Sequence, residues 1–209
     1  MGNDLAAFAK ENGVKYFMIS YTDLFGGQRA KLVPAQAIAD MQKDGAGFAG
    51  FATWLDLTPA HPDMLAVPDP STFALIPWRP EEDAVARMFC DIQVPGGGPY
   101  EGDPRWIMQR ALKRAEELGF DAYNIGPELE YFYFRSAKPA GGVPEPLDEG
   151  GYFDLTTLDA GSDVRRDTVL ALEKMGIHVE YTHHEVGPSQ HEVDMRYKNV
   201  LEMADDCMT

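Results

Sequence analysis

Residues 179–193 read VEYTHHEVGPSQHEV, and how this stretch is read decides how the second half of the chain folds. Two β-rich runs, 177–186 and 190–197, flank Gly187, Pro188 and Ser189, residues that favour a tight turn over continuation of either strand. Pairing across that turn gathers Glu180, His183, His184, Glu185, His191 and Glu192 into a small volume. A donor set made mostly of carboxylates suits a hard divalent cation such as Mg²⁺ or Mn²⁺, whereas zinc would want cysteine or a tighter histidine pattern. The alternative is a surface hairpin with incidental histidines, because a single histidine commonly has a structural task.

Working outward, 126–134 read GPELEYFYF. A period of two puts Glu128, Glu130, Phe132 and Phe134 on one strand face and Leu129, Tyr131 and Tyr133 on the other. The two carboxylates are then expected beside buried aromatics, where like charges persist only if exposed, protonated or neutralised by a cation. Taken alone, a solvated edge strand explains them as well. A polar loop (135–151) and a helix (163–176, DVRRDTVLALEKMG) separate this strand from the 179–193 pair.

Towards the N-terminus, Asp4 is placed to cap a helix over 5–12, followed by a β-branched and aromatic strand, 14–22. The DLFGG turn and QRAKLV (28–33) complete a hairpin, and Pro34 is expected to open a helix over 34–43 with Ile38 and Met41 facing inward. Residues 44–80 suggest short strands between loops, and 84–94 a further strand. The glycines and prolines of VPGGGPYEGDP (94–104) mark the domain boundary. Asp103 and Pro104 then start a helix that Gly119 stops, with Ile107, Ala111 and Leu118 near one stripe. GAGFAG (45–50) has the spacing of a dinucleotide-binding loop, but it follows a helix rather than a strand and is read as coincidence. No G-x-x-x-x-G-K-[ST] phosphate loop occurs, so any nucleotide must be held through metals.

The composition agrees with a cation-binding rather than a polyanion-binding protein. Eighteen Lys and Arg against 34 Asp and Glu give a net charge of −16 over 209 residues, which excludes a phosphate-tracking nucleic-acid surface. There is no apolar run long enough for a membrane span and no signal-peptide pattern at the start, so a cytoplasmic location is expected. Cys90 and Cys207 have no metal or disulfide spacing, consistent with a reducing compartment.

With these residues in view, the chain resembles the glutamine synthetase family over nearly its whole length. GPELEYFYF is similar to the family's first metal-ligand strand, and VEYTHHEVGPSQHEV to its strand pair ending in a Gln and a metal-binding Glu. KDGAGFAGF (43–51) resembles its latch loop, and HPDMLAVPD (61–69), GDPRWIMQRA (102–111) and GGYFDL (150–155) follow in the family's order. The wording DLTPAHPDMLAVPDPST (56–72) is similar to the branch labelled type III glutamine synthetase or γ-glutamylmethylamide synthetase.

The resemblance implies an α+β fold, with a β-grasp-like N-terminal domain over 1–100 and the first half of a glutamine-synthetase-type catalytic α/β domain over 101–209. It implies Glu130, Glu185 and Glu192 as ligands of one divalent metal, Mg²⁺ or Mn²⁺, and Glu128 as a ligand of a second. Tyr152, Glu180 and Tyr197 match positions lining the ATP site. Asp44 matches the loop aspartate that reaches a neighbouring subunit's site to bind and deprotonate ammonium, and Asp63 a second acidic residue there. The implied reaction joins L-glutamate to ammonia or a small primary amine through γ-glutamyl phosphate, at subunit interfaces of a ring-shaped homo-oligomer. Departures from the family pattern are Ala46 and Gly47 in place of two serines, Phe48 in place of isoleucine, and GPSQHE in place of a small-residue turn. The family's remaining metal ligands, substrate-binding arginines and glutamate loop lie beyond the position matching Thr209, so the 209 residues alone are expected to be inactive. Two other readings stay open: a non-catalytic metal-binding or regulatory protein, and a metal-dependent hydrolase, for which no general base with a supporting partner is evident.

Overall fold

The structure is a computed structural model that describes residues 4–137 and 140–209. Its chain forms two compact units, one comprising residues up to Tyr123 together with Asn199–Thr209, the other Asn124–Lys198. These units are drawn differently from a single cut at 94–104, because the segment after that linker and the C-terminal helix pack with the first unit.

The first unit begins with α1 (Leu5–Glu11), capped by the Asp4 carboxylate accepting from the Ala6 and Ala7 amides. Strand β1 (Val14–Thr22) pairs antiparallel with β2 (Gln28–Pro34), from Thr22 opposite Gln28 to Tyr16 opposite Pro34. Pro34 therefore closes a strand rather than opening a helix. A single 3₁₀ turn follows it, and α2 (Ile38–Asp44) starts four residues later, because the fixed φ of Pro34 suits the extended ladder edge as well as a helix start. GAGFAG becomes the short β3 (Ala46–Phe48) and one 3₁₀ turn, so it forms no strand-to-helix phosphate loop. Strands β4 (Met64–Pro68), β5 (Ala74–Leu75) and β6 (Ala84–Gln93) complete the sheet, in order β2-β1-β6-β4-β3 with β5 also on β6. The parallel pair β1 and β6 runs through its centre, the arrangement expected of the β-grasp-like domain. Phe17, Ile19, Ile38, Leu55, Met88 and Ile92 are fully buried in its core, each contributing about 1.5–3 kcal/mol by removal from water. Gly45, with φ of 76°, ends α2, and a Cβ there would lie 3.1 Å from both Leu65 and Val67, so the turn into β3 requires glycine.

Helix α3 (Pro104–Glu117) has the expected Asp103 cap, whose two oxygens accept from the Arg105 and Ile92 amides. In the second unit a short β7 (Asn124–Ile125) stands apart from β8 (Glu128–Phe132), because Gly126 and Pro127 interrupt the run between them. They are followed by α4 (Ser162–Lys174), β9 (Val179–His184), β10 (Gln190–Met195) and β11 (Lys198–Asn199). A last helix, α5 (Val200–Cys207), was not foreseen from the sequence.

The apolar stripe of α3 is not its anchor, since Ile107 and Leu118 are exposed and no residue of the helix is buried. The helix is held instead by Arg105, whose guanidinium meets Asp69 at 2.7 Å, Asp91 at 2.6 Å and Asp205 of α5 at 3.1 Å. Burial pushes the Arg105 pKa down, but the Asp205 and Asp91 carboxylates outweigh it and keep the group charged.

The β1–β2 turn is built on Asp23, a buried carboxylate accepting from the Gly27 and Phe25 amides and paired with Arg29 at 2.9 Å. A Cβ on Gly27 would sit 2.8 Å from that carboxylate, which explains the glycine. Burial pushes the Asp23 carboxyl up, but the two amides and the guanidinium outweigh it and hold it below its ordinary 3.8. A depressed carboxylate stabilises the fold above its unfolded pKa and loses that contribution as pH falls through the folded value. Asp23→Asn is expected to lower stability at pH 7 by about 1–3 kcal/mol, with the deficit shrinking below pH 3.8 in urea titrations.

Candidate metal centre

The second unit's sheet is three-stranded, with β10 between β8 and β9 and antiparallel to both. Register sorts its side chains without ambiguity. Glu192 stands opposite Glu130 on one side and His183 on the other, and Asp194 opposite Glu128 and Tyr181. All six share one face, and Gln190 at the strand start donates to Glu130. His191 pairs with Tyr131 and His184, which puts both of these histidines on the opposite face.

The acidic face floors a cavity of about 810 Å³, whose lining includes Glu128, Glu130, Glu185, Glu192 and Asp194. Across it, the loop 152–155 supplies Tyr152 and Phe153, stacked at 3.9 Å and both edge-on to His183. Phe153 adopts φ of 61°, a left-handed conformation rare for an aromatic residue, held by its amide bonding to the His184 carbonyl at 3.0 Å. His183 Nε2 lies 3.0 Å from Glu185 and 3.3 Å from Glu192, so one imidazole edge bridges the two carboxylates. Burial, then the Asp194 and Glu185 carboxyls, push the Glu192 pKa up, while the Val186 amide and His183 hold Glu185 down. Asp194 Oδ2 is buried with no hydrogen-bond partner among the described residues. Crowded carboxylates with an orphaned buried oxygen are the donor chemistry of a hard divalent cation, and the site fits one.

Behind the sheet is a buried polar network. Asp148 accepts from the amides of Gly150, Ser189 and Ala160 and from His184 Nε2 at 3.0 Å, while His184 Nδ1 reaches the Glu185 carbonyl at 2.7 Å. Burial pulls the His184 pKa down, but the Asp148 carboxylate and the Glu185 carbonyl outweigh it and leave it raised. Arg165 on α4 joins Asp159 at 2.7 Å to His191 Nδ1 at 2.6 Å. Asp148, His184 and His191 lie within metal-binding reach of one another, but Asp148 already accepts four bonds and His184 is bonded through both ring nitrogens.

Two expectations of the strand reading change. Phe132 and Phe134 are about half exposed and stack parallel to each other at 6.4 Å, so the acidic face is not lined by buried aromatics. Of the six grouped side chains, His184 and His191 bond within the buried polar network on the opposite sheet face, although His184 also borders the cavity. Among the residues of the implied nucleotide site, Tyr152 lines the cavity, whereas Glu180 and Tyr197 are exposed and do not. Asp44 at the end of α2 and Asp63 before β4 belong to the first unit. Sequence reasoning passed over Asp194, although it stands two residues after Glu192 and the same period of two reaches it. Asp148, Asp159 and Arg165 carried no local signal.

Comparison with known proteins bears on this geometry. Residues 13–95 match the family model described as the glutamine synthetase β-grasp domain, and residues 101–209 the one described as the glutamine synthetase catalytic domain. The chain belongs to the glutamine synthetase family. It is 42% identical over 206 residues to a glutamine synthetase of Methanosarcina mazei, covering 99% of this chain and 46% of the relative. It is 41% identical over 200 residues to one of Thermotoga maritima, covering 96% and 45%. The chain thus spans about half the length of the curated relatives it matches. Among solved structures it superposes on an ADP complex of GmaS with a TM-score of 0.86 at 36% identity, covering 99% of this chain and 47% of that one. A Plasmodium falciparum glutamine synthetase gives 0.88 at 23% identity, covering 100% and 46%, a likeness of fold.

Asp148 ties the polar network to both the cavity loop and the β9–β10 turn, so Asp148→Ala leaves three amides and His184 without their acceptor. The expected cost is about 3–5 kcal/mol. Hydrogen exchange is expected to rise at 148–161 and 187–190 before it rises in the first unit's sheet.

Proposed function

We propose that the whole protein ligates L-glutamate to ammonia or a small primary amine at the expense of ATP, through γ-glutamyl phosphate. The observation that carries this reading is the single acidic sheet face shared by Glu128, Glu130 and Glu192, on which Glu192 comes within metal-binding reach of Glu128 and of Glu185, in a chain of this family. Glu130, Glu185 and Glu192 would hold one divalent cation, Mg²⁺ or Mn²⁺, and Glu128 would contribute to a second. Bound there, the cations supply charge neutralisation for the glutamate carboxylate and the ATP phosphates.

The chain's own residues do the positioning. Gln190 fixes the Glu130 carboxylate by a hydrogen bond, and the Val186 amide donates to Glu185 at 2.8 Å, so two of the donors are oriented before any ligand arrives. His183 lies between Glu185 and Glu192, its Nε2 3.0 Å and 3.3 Å from their carboxylates, and so fixes the spacing of the two. Tyr152 and Phe153 form an aromatic wall that narrows water access to the acidic floor. Tyr152, together with Glu180 and Tyr197, is assigned to ATP; the 36% identical GmaS structure, an ADP complex, supports a nucleotide in this family branch. Asp44 and Asp63, in a ring-shaped homo-oligomer, would act at a neighbouring subunit's site to bind ammonium and remove a proton, which an amine must lose before it can attack the acyl phosphate. No helix among the described residues is long and apolar enough to cross a membrane, and a cytoplasmic setting suits these substrates.

The test uses the protein purified from its source cells, with intact mass recorded on the same sample. Phosphate release is followed with ATP, L-glutamate and Mg²⁺, supplying ammonia, methylamine or a polyamine in turn. A γ-glutamyl amide formed only when all components are present supports the reading. Amide hydrolysis without ATP, or ATP cleavage indifferent to glutamate, defeats it. Glu130→Ala in that protein is expected to lower kcat by a factor of about 100 or more, and near-normal turnover would remove Glu130 from the metal set.

A further inference from the structure

We propose that Asp194 is a further ligand of this centre, holding the second divalent cation together with Glu128. The inference rests on the metal-binding reading above and adds a residue which that reading did not contain. Asp194 follows Glu192 by two positions on β10, so the ladder turns it to the same face, and its register partner on β8 is Glu128 itself. One oxygen from each of Glu128, Glu192 and Asp194 lies within 4.8 Å of the others, and all three line the cavity.

Its surroundings set it apart from the other buried acids of this unit. Asp148 accepts from three amides and a histidine, and Asp159 from Arg165 and the Gly161 amide. Asp194 is only 5% exposed, yet its Oδ2 has no hydrogen-bond partner among the described residues. The nearest basic nitrogen is His183 Nδ1 at 3.9 Å, beyond hydrogen-bond reach and on an imidazole whose other nitrogen faces Glu185 and Glu192. A buried carboxylate beside two others is a cost that a neutral residue of the same size would avoid. A cation coordinated by Asp194 and Glu128 satisfies the orphaned oxygen and relieves the repulsion among the three acids. Glu128 alone is a weak anchor because it is exposed and single; a second carboxylate directly across the ladder makes a two-point site.

The experiment is Mn²⁺ titration of the full-length protein, read by the electron paramagnetic resonance signal of the free ion, with thermal melting of each variant in metal-free buffer. Wild type is expected to bind Mn²⁺ in two classes. Asp194→Asn and Glu128→Gln are each expected to weaken the same class about tenfold, and the double variant no further than either single. Glu130→Gln should weaken the other class, and Asp163→Asn, an exposed acid on α4, should change neither. Metal-free Asp194→Asn should melt at or above the wild-type temperature, and Mn²⁺ should raise its melting point by less. If the amide disturbs the sheet, Asp194→Ala is read in the same way. Unchanged affinity in both classes for a folded Asp194 variant overturns this assignment alone. Absence of Mn²⁺ binding in wild type overturns the metal reading and Asp194 with it.

Discussion

Four carboxylates, Glu128, Glu130, Glu192 and Asp194, project from one face of a three-stranded sheet, and the antiparallel register of β10 with β8 leaves them nowhere else to go. Backbone hydrogen bonds hold the strands at fixed spacing, so like charges that would separate in a flexible loop stay opposed. Much of the second unit can be understood as a response to that repulsion. His183 is set between Glu185 and Glu192, Gln190 donates to Glu130, and burial with its acidic neighbours keeps the Glu192 carboxyl easier to protonate than an ordinary glutamate. A sheet that stores repulsion on one face is poised for a cation.

The opposite face supplies the rigidity that such a site needs. Asp148, His184, Arg165, Asp159 and His191 form a nearly continuous buried network tying the β9–β10 turn, the 148–161 loop and α4 to the back of the same strands. Asp148 also reaches the backbone of Ser189 and Gly150, and the adjacent aromatic loop bonds to the His184 carbonyl through Phe153. Neighbouring residues are thereby split between tasks: His183 serves the cavity and His184 the support, His191 the support and Glu192 the cavity. Alternation along the strand is what allows an acidic face and its scaffold to share one hexapeptide.

The first unit is organised differently. Its core is apolar, with Phe17, Ile19, Met88 and Ile92 around a central parallel strand pair, and charges act at its margins. Arg105 joins three aspartates from separate parts of the chain, and Asp23 closes the first turn. Helix α3 is attached through this ionic cluster more than through apolar burial, its exposed Ile107 and Leu118 remaining on the outer surface of the described unit, whereas α5 also buries Val200 and Met203.

What the sequence determined by itself was local and periodic. The strands 14–22 and 84–93, the Asp4 and Asp103 caps, the turn at 187–189 and the face shared by Glu128 and Glu130 follow from residue spacing and from turn and cap chemistry, which act over a few residues. The family resemblance rested on the order of such short motifs. The tertiary structure decided everything that depends on partners distant along the chain. It showed that Pro34 ends a strand, that Phe132 and Phe134 remain half exposed, that α3 is held by charges, and that His184 and His191 stand on the sheet face opposite the carboxylates. It alone joined Asp148 to His184 across 36 residues and Arg165 to His191 across 26. A period of two assigns a residue to a face, but which face meets solvent, a helix or another carboxylate is set by long-range packing, and no short-range pattern encodes it.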